Sequence, residues 1–541
     1  MIKAPRVPSQ QTIDECTSKG WWTAETFADV LERRAREKPD QEVLADERRR
    51  ITYGQLWDEV RRCAEFLRRH GVRRGNVVIV QIPNRIEFAV VFFSLELIGA
   101  IANKISPDFR GMEVEYIARF SGARAYVCAR GFKGFEFLRM MDEIRPRLPT
   151  LEILACVDAV DQPGVASFAR ELATMPPIAD ADRVRMDANE VMRMAFTSGT
   201  TGNPKGVLHS FNTTRAMACQ ILRDFDINEQ DVILVFLPLG LNWGYCMLLQ
   251  TVYAGARAVL MERFSADAVL EKIESQRITY FPTAPASLVA LLNSPELKKR
   301  DSSSLRVVMT GGASAAVETI KAFQAALPKA KLIELYGMLE SGFHTYTRMT
   351  DDPFKVTGTI GRVVDSMGLR LIDEQGRDVP YGQEGEIAAK GPSVHLGYLN
   401  NEAANREAFT EDGWFRSGDL AKYVDDEGNL MIVGRRKEII NRGGKKYFPR
   451  EIEELLYQHP KILQVAIVGV PDPRVGEKNC MCAVLKPGER MELQEAVEFL
   501  RGRVAEYKLP EQLVIMDALP MTPTGKIRRP EIVKLVQAGA R

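Results

Sequence analysis

Residues 197–206 read TSGTTGNPKG, and their side chains form a donor set with little to spare for anything but anion binding. Thr197, Ser198, Thr200 and Thr201 supply hydroxyls, and Lys205 supplies a point charge. Gly199 and Gly202 free the backbone so that successive N–H groups can point inward at one ligand. Such a constellation suits a triphosphate. Taken alone, a Ser/Thr/Gly-rich stretch is a solvated linker. This one sits directly behind the apolar run VMRMAF, and its glycines, hydroxyls and lysine together favour a binding loop over a linker. A Walker A loop does not fit, because Lys205 is followed by Gly206 and then VLHS rather than by Ser or Thr opening a helix.

The elements that must position this loop are those of a large globular chain. At 541 residues, with 45% hydrophobic and 27% charged side chains, more than one core is expected. A net charge of +1 gives no argument for a nucleic-acid partner. The eight cysteines and five histidines show no CxxC pair and no ligand spacing, so neither zinc nor a disulfide framework is expected; Cys480 and Cys482 should share one face of a strand. The first residues lack the apolar core of a signal peptide. FAVVFFSLELIGAIA (88–102) is too short to span a bilayer, contains Glu96, and is expected as a buried helix in a cytoplasmic protein with no transmembrane segment.

Short apolar runs at 77–83, 123–129, 151–157, 257–262 and 305–312 alternate with helical patterns such as TYGQLWDEVRRCAEFLRRHG. This predicts α/β layers with largely parallel sheets. From about residue 357, short strands with Gly-rich turns predict a β-barrel-like subdomain. After Gly434 a tail carries its own helices and strands. The expected fold is α/β: a large N-terminal domain, 1–434, of α/β layers plus the barrel-like subdomain, and a small mobile α+β domain, 435–541.

Five motifs in order, TSGTTGNPKGV, LYGMLES (335–341), GWFRSGDL (413–420), GRRKEIINRGG (434–444) and PMTPTGKIRR (520–529), resemble the adenylate-forming superfamily of acyl-CoA synthetases, nonribosomal adenylation domains and luciferases. The likeness runs from roughly Trp22 to the C-terminus. GWWTAETFADVL, QIPNRIEF and RGGKKYFPREIEELL look most like the branch of 2,3-dihydroxybenzoate-AMP ligases, cyclohexanecarboxylate-CoA ligase and short- or medium-chain acyl-CoA synthetases.

The resemblance implies ATP and Mg2+ bound by Thr197, Ser198, Gly199, Thr201, Gly202 and Lys205, with Thr200 and Glu340 catalytic and Glu340 the metal ligand. Tyr336 would stack on adenine, although an aromatic there could equally be core. Gly311, Gly312, Ala313, Leu335 and Gly337 would line the adenine slot, and Glu334 stands where the family often has an amide that meets the base. The family's usual Thr before the glutamate is Leu339 here, which removes a phosphate hydroxyl. Asp419 would accept from the ribose hydroxyls and Arg435 would reach ribose or phosphate, where a turn Asp and a surface Arg are the plain alternatives. Lys526 would be the lysine of the adenylating step and Lys437 the hinge.

Coenzyme A would then enter along Gly443, Gly444 and Lys445, with Lys446, Arg474 and Lys508 either meeting its 3′-phosphate or simply solvated. Asn242, Trp243, Tyr245 and Phe281 are the candidate acid pocket, with core packing the alternative for the two rings Trp243 and Tyr245. No carboxylate stands within 239–247 to meet an ammonium, which argues against amino acids. A short- or medium-chain, alicyclic or aromatic acid:CoA ligase is favoured. A carrier-protein loader, a luciferase-type oxygenase and a non-catalytic nucleotide-binding protein are the other readings. The resemblance also admits a homodimer and a lysine acetyltransferase acting on Lys526 as partners.

Overall fold

The structure is a computed structural model that describes residues 2–197, 204–312, 315–353, 355–435, 438–522 and 526–539. The expected strands form two large sheets. One has seven strands, in the order Gly206–Ser210, Val191–Phe196, Ile101–Lys104, Val77–Gln81, Ala125–Cys128, Ile153–Cys156 and Ala166–Ser167, antiparallel only in its first pair. The other has nine, with a parallel centre built from Lys331–Met338, Val307–Thr310, Tyr280–Thr283, Val232–Val235, Arg257–Leu260 and Glu42–Ala45. Strands covered on both faces need continuous apolar runs, which is why they read without alternation.

Helices fill the space between and around the sheets. Tyr53–Arg69 opens on a capping box, in which Thr52 and Gln55 satisfy each other's backbone N–H, and buries Leu56, Val60, Cys63, Phe66 and Leu67 on one side. Each such Val, Leu or Phe contributes roughly 1.5–3 kcal/mol on burial. Of the run 88–102 expected as one buried helix, residues 88–97 lie in the helix Ile86–Leu97, almost wholly buried, whereas Ile101 and Ala102 belong to the strand Ile101–Lys104. The helix's Glu96 accepts from the Ala28 N–H at 2.8 Å, and burial pushes its pKa well up. Among the described residues no helix is long and apolar enough to cross a membrane.

The segment expected as barrel-like is a four-stranded antiparallel sheet of Gly368–Ile372, Gly385–Lys390, Phe415–Tyr423 and Leu430–Arg435. Beyond residues 436–437 a five-stranded sheet begins at Ile440–Arg442, with helices Pro449–Leu456, Leu493–Leu500 and Arg529–Gln537. Its strand Gly476–Leu485 alternates strictly: Cys480 and Cys482 pack with Val468, Val514 and Ile532, while Met481 and Ala483 pack with Ile452, Leu456 and Leu500. The two sulfurs are 3.9 Å apart on one face, as the one-residue spacing requires.

Candidate functional site

The strand Val191–Phe196 and the returning strand Gly206–Ser210 are joined by the signature loop, with Phe196 opposite Gly206. The loop's two ends are tied: Thr197 N–H donates to the Lys205 carbonyl at 3.1 Å, and Lys205 N–H donates to Thr197 Oγ1 at 3.1 Å. A strand, not a helix, follows the lysine, which separates this loop from a Walker A loop. Ser198, Gly199, Thr200, Thr201 and Gly202 lie outside the described residues, as do Ala313 and Lys437.

The loop ends face a cleft of ≈ 1260 Å³ between the large body and the C-terminal domain, lined by Thr197, Lys205, Gly312, Glu334, Leu335, Tyr336, Gly337, Glu340, Asp419, Arg435 and Lys526 among others. Residues 330 positions apart in sequence thus meet around one space. Lys331–Met338 brings the adenine-side candidates there. A register shift between Tyr336 and Gly337 re-aims the strand's end against Gly342–Tyr346. The bulge admits only glycine: a Cβ on Gly337 would stand 2.2 Å from the Gly342 carbonyl oxygen, and one on Gly311 would stand 2.8 Å from the Leu335 carbonyl oxygen.

Asp419 is the organising charge of the nucleotide side. Its Oδ2 accepts from the Tyr336 hydroxyl at 2.7 Å and its Oδ1 from Arg435 Nε at 2.9 Å. Neighbouring Asp419 raises the Arg435 pKa, and burial together with Asp419 pushes the Tyr336 hydroxyl well up. Tyr336 keeps one face toward the cleft while its edge meets His344, ring centroids 5.4 Å apart.

Glu340 accepts from the Tyr398 hydroxyl at 3.2 Å, and the Lys205 ammonium lies 4.7 Å from the centre of the same Tyr398 ring. Burial raises the Glu340 pKa, while Tyr398, Lys526 and Lys205 oppose the rise. Tyr398 therefore links Lys205, at the end of the signature loop, to the Glu340 carboxylate, a contact no local pattern in HLGYLN announces. Leu339 turns its side chain toward Val207, Tyr398 and Phe415, so the position that lacks a hydroxyl contributes packing.

Lys526 enters from the C-terminal domain. Its loop is closed by Thr522 N–H donating to the Lys526 carbonyl at 2.7 Å and Lys526 N–H donating to Thr522 Oγ1 at 3.0 Å. Burial and the nearby Arg435 pull the ammonium's pKa down, while Asp419, Glu340 and Glu438 hold it up. Arg450, Glu438 and Glu453, unmarked by the motifs, also face the cleft; Arg450 Nη1 bonds the Ile432 carbonyl at 2.8 Å across the two domains.

The residues expected to meet coenzyme A sit elsewhere. Gly443 and Gly444 form an exposed two-residue turn between Ile440–Arg442 and Lys445–Tyr447, with φ of 60° and 81°, and neither they nor Lys445 line the cleft. The Lys445 ammonium lies 4.9 Å from the centre of the Tyr507 ring, Arg474 is exposed, and Lys508 pairs with Glu451. Of the acid-pocket candidates, Tyr245 and Phe281 are fully buried, against Phe92 and Phe236 respectively. Trp243 is half-buried beside Phe343, and Asn242 opens the helix Asn242–Ala254.

Among the described residues no cluster of three or more His, Cys, Asp or Glu could hold a metal by itself.

Comparison with known proteins agrees with this geometry. Residues 31–399 match the family model of the AMP-binding enzyme, and residues 451–526 match that of the AMP-binding enzyme C-terminal domain. The chain is 31% identical over 516 residues to a medium-chain fatty-acid–CoA ligase of Escherichia coli strain K12, covering 94% of this chain and 90% of the relative. It is 34% identical over 532 residues to the salicyl-AMP ligase / salicyl-S-ArCP synthetase of Mycobacterium tuberculosis, covering 95% and 91%. The crystal structure of the anthranilate CoA ligase AuaEII in complex with anthranoyl-AMP superposes with a TM-score of 0.87 at 27% identity, covering 95% of this chain and 98% of that one. With both family models matched on either side of the cleft that collects Glu340, Asp419 and Lys526, the chain belongs to the AMP-binding enzyme family of ATP-dependent, adenylate-forming acid ligases.

Proposed function

We propose that the protein is a carboxylic acid:CoA ligase. A carboxylate oxygen attacks the α-phosphorus of Mg-ATP, pyrophosphate leaves, and the bound acyl-adenylate is then attacked at its carbonyl by the thiol of coenzyme A, releasing AMP. The observation that carries this reading is the position of Lys526 in the cleft beside Glu340 and Asp419, opposite the tied ends of the phosphate loop. That arrangement serves the first half-reaction, where charge builds on the bridging oxygens. The second half-reaction requires the C-terminal domain to turn about Lys437, withdrawing Lys526 and bringing the Gly443–Gly444 turn to the cleft.

A carrier-protein loader is the second reading, supported by the salicyl-AMP ligase / salicyl-S-ArCP synthetase relative. The test is mass detection of products from a panel of short- and medium-chain, alicyclic, benzoic and hydroxybenzoic acids with Mg-ATP and coenzyme A. A CoA thioester with AMP and pyrophosphate supports the ligase; acid-dependent pyrophosphate without a thioester supports the loader.

The nucleotide site has a pH dependence of its own. Burial raises the Glu334 carboxyl to about 8, against the opposing pull of Arg450. Below that value the group is neutral and presents a donor and an acceptor, as the family's amide does; above it the donor is lost. ATP affinity should therefore be level below about pH 7, be halved near pH 8 and be about tenfold lower by pH 9, in proportion to the neutral fraction. Glu334→Gln should bind ATP with no such fall, and a titration of both proteins by calorimetry from pH 6.5 to 9 checks it; parallel curves would remove Glu334 from adenine recognition.

A further inference from the structure

One face of the seven-stranded sheet meets the helices Phe211–Asp224 and Asn242–Ala254, and three basic side chains stand on it. Arg193 is paired in register with Ala102 on one side and His209 on the other, and Lys104 lies two residues beyond Ala102, so all three share that face. Arg193 and His209 are 0% exposed and Lys104 is 1% exposed. Within the apolar runs VMRMAF and IGAIANKI, Arg193 and Lys104 are the charges that a buried strand has no reason to carry.

Neither cation pairs with a carboxylate among the described residues. Arg193 Nε donates to Thr214 Oγ1 at 2.9 Å and Nη2 lies 3.9 Å from the Met217 sulfur, while Nη1 has no partner among the described residues. Lys104 Nζ likewise has none. The two cations flank one ring, Tyr245, at 4.6 and 5.2 Å from its centre, and the Tyr245 hydroxyl is also without a partner among the described residues. No ion pair to either cation occurs among the described residues. A ring face recovers only part of the desolvation cost of a buried ammonium or guanidinium, so burial and the neighbouring Arg193 pull the Lys104 ammonium's pKa well down, and an anion joining the two groups would offset that cost.

His209 Nε2 contacts the Leu339 carbonyl at 2.8 Å, next to Glu340, and Arg193 is one strand away, about 4.8 Å. Gly240, in the stretch that leads into Asn242 and Trp243, is pressed against the Ile105 carbonyl beside Lys104. Asn242 adds an Oδ1 without a partner among the described residues, and the Met217 sulfur, 3.0 Å from Asn242 Nδ2, is the adaptable group between them.

We propose that the acid activated here carries a second carboxylate, bound at the far end of the acid site by Lys104 and Arg193, with the Tyr245 hydroxyl as a further donor. This rests on the acid-ligase reading and narrows its substrate to dicarboxylic acids. The same cations exclude an amino acid's ammonium.

The test uses the full-length protein with Mg-ATP and straight-chain diacids from glutaric to azelaic acid, each beside the monoacid of equal length. Pyrophosphate release should favour a diacid over its monoacid by at least about tenfold in kcat/KM. Lys104→Met should reverse that ratio. It should also raise the melting temperature in acid-free buffer and abolish the stabilisation that the diacid gives the wild-type protein. Monoacids turned over as well as or better than diacids, with a ratio unmoved by Lys104→Met, would overturn the proposal while leaving the ligase reading intact. Absence of pyrophosphate release with every acid would bring down the ligase reading, and the melting shift decides the subsite separately: chloride or a monoacid stabilising the wild type as strongly as a diacid also overturns it.

Discussion

Lys526→Gln should slow acid-dependent pyrophosphate release by about 10²- to 10³-fold, the scale of removing one preorganised charge from a developing transition state. The side chain sits in the cleft with Arg435, Asp419, Glu340 and Glu438 as its charged neighbours, on a loop whose two ends are bonded through Thr522. Glutamine is one bond shorter, stays polar and loses the positive charge, so the fold of the C-terminal domain should persist. The Gly443–Gly444 turn lies outside the cleft in the arrangement where Lys526 lines it, so under the proposed mechanism the two half-reactions would use different faces of this domain. Thioester formation from a supplied acyl-adenylate should therefore stay within about threefold of the wild-type rate. Rapid-quench measurement of each half-reaction decides the matter. Equal loss in both would refute the assignment of Lys526 to one step and, with it, the swivel.

Asp419→Ala should weaken ATP binding by about 10²-fold. Two hydrogen bonds to a charged acceptor, at about 1.5–3 kcal/mol each, are what the ribose hydroxyls would lose, and about 2.8 kcal/mol already corresponds to that factor. Asp419 is 5% exposed and now bonds Tyr336 and Arg435, so its removal also leaves a guanidinium beside the Lys526 ammonium with less to balance it. The Lys526 pKa should move further down, since Asp419 is first among the groups that hold it up. Calorimetric titration with ATP, together with thermal melting, separates the two consequences. Unaltered ATP affinity with a lowered melting temperature would make Asp419 a structural partner of Arg435 and Tyr336 alone.

Much of this site is legible before folding is considered. The hydroxyls and glycines of 197–206 are consecutive in the chain, and the ties between Thr197 and Lys205 join the two ends of that stretch. Glu340, Asp419 and Lys526 each stand in a motif, and their motifs name them without any knowledge of distance. Tyr398 had no such signal. Its value comes from lying over Lys205 while donating to Glu340, and these partners are 193 and 58 residues away. The acid side is the hardest to read, because Asn242, Trp243 and Tyr245 differ in burial by their rotation about one helix; Tyr245 turned inward to the sheet and Trp243 stayed half-exposed.

The chain alone determined the alternation of apolar strands with helices, that no helix opens at Lys205, and the order of the five motifs. Each of these follows from local periodicity or from neighbours within one turn or strand, where the backbone sets the geometry. Tertiary structure decided which face of the C-terminal domain meets the cleft, the pairing of Tyr336 and Arg435 on Asp419, and the meeting of Lys104 with Arg193 over Tyr245. These depend on register between strands distant in sequence, where a shift of a single residue would turn every one of those side chains to the opposite face.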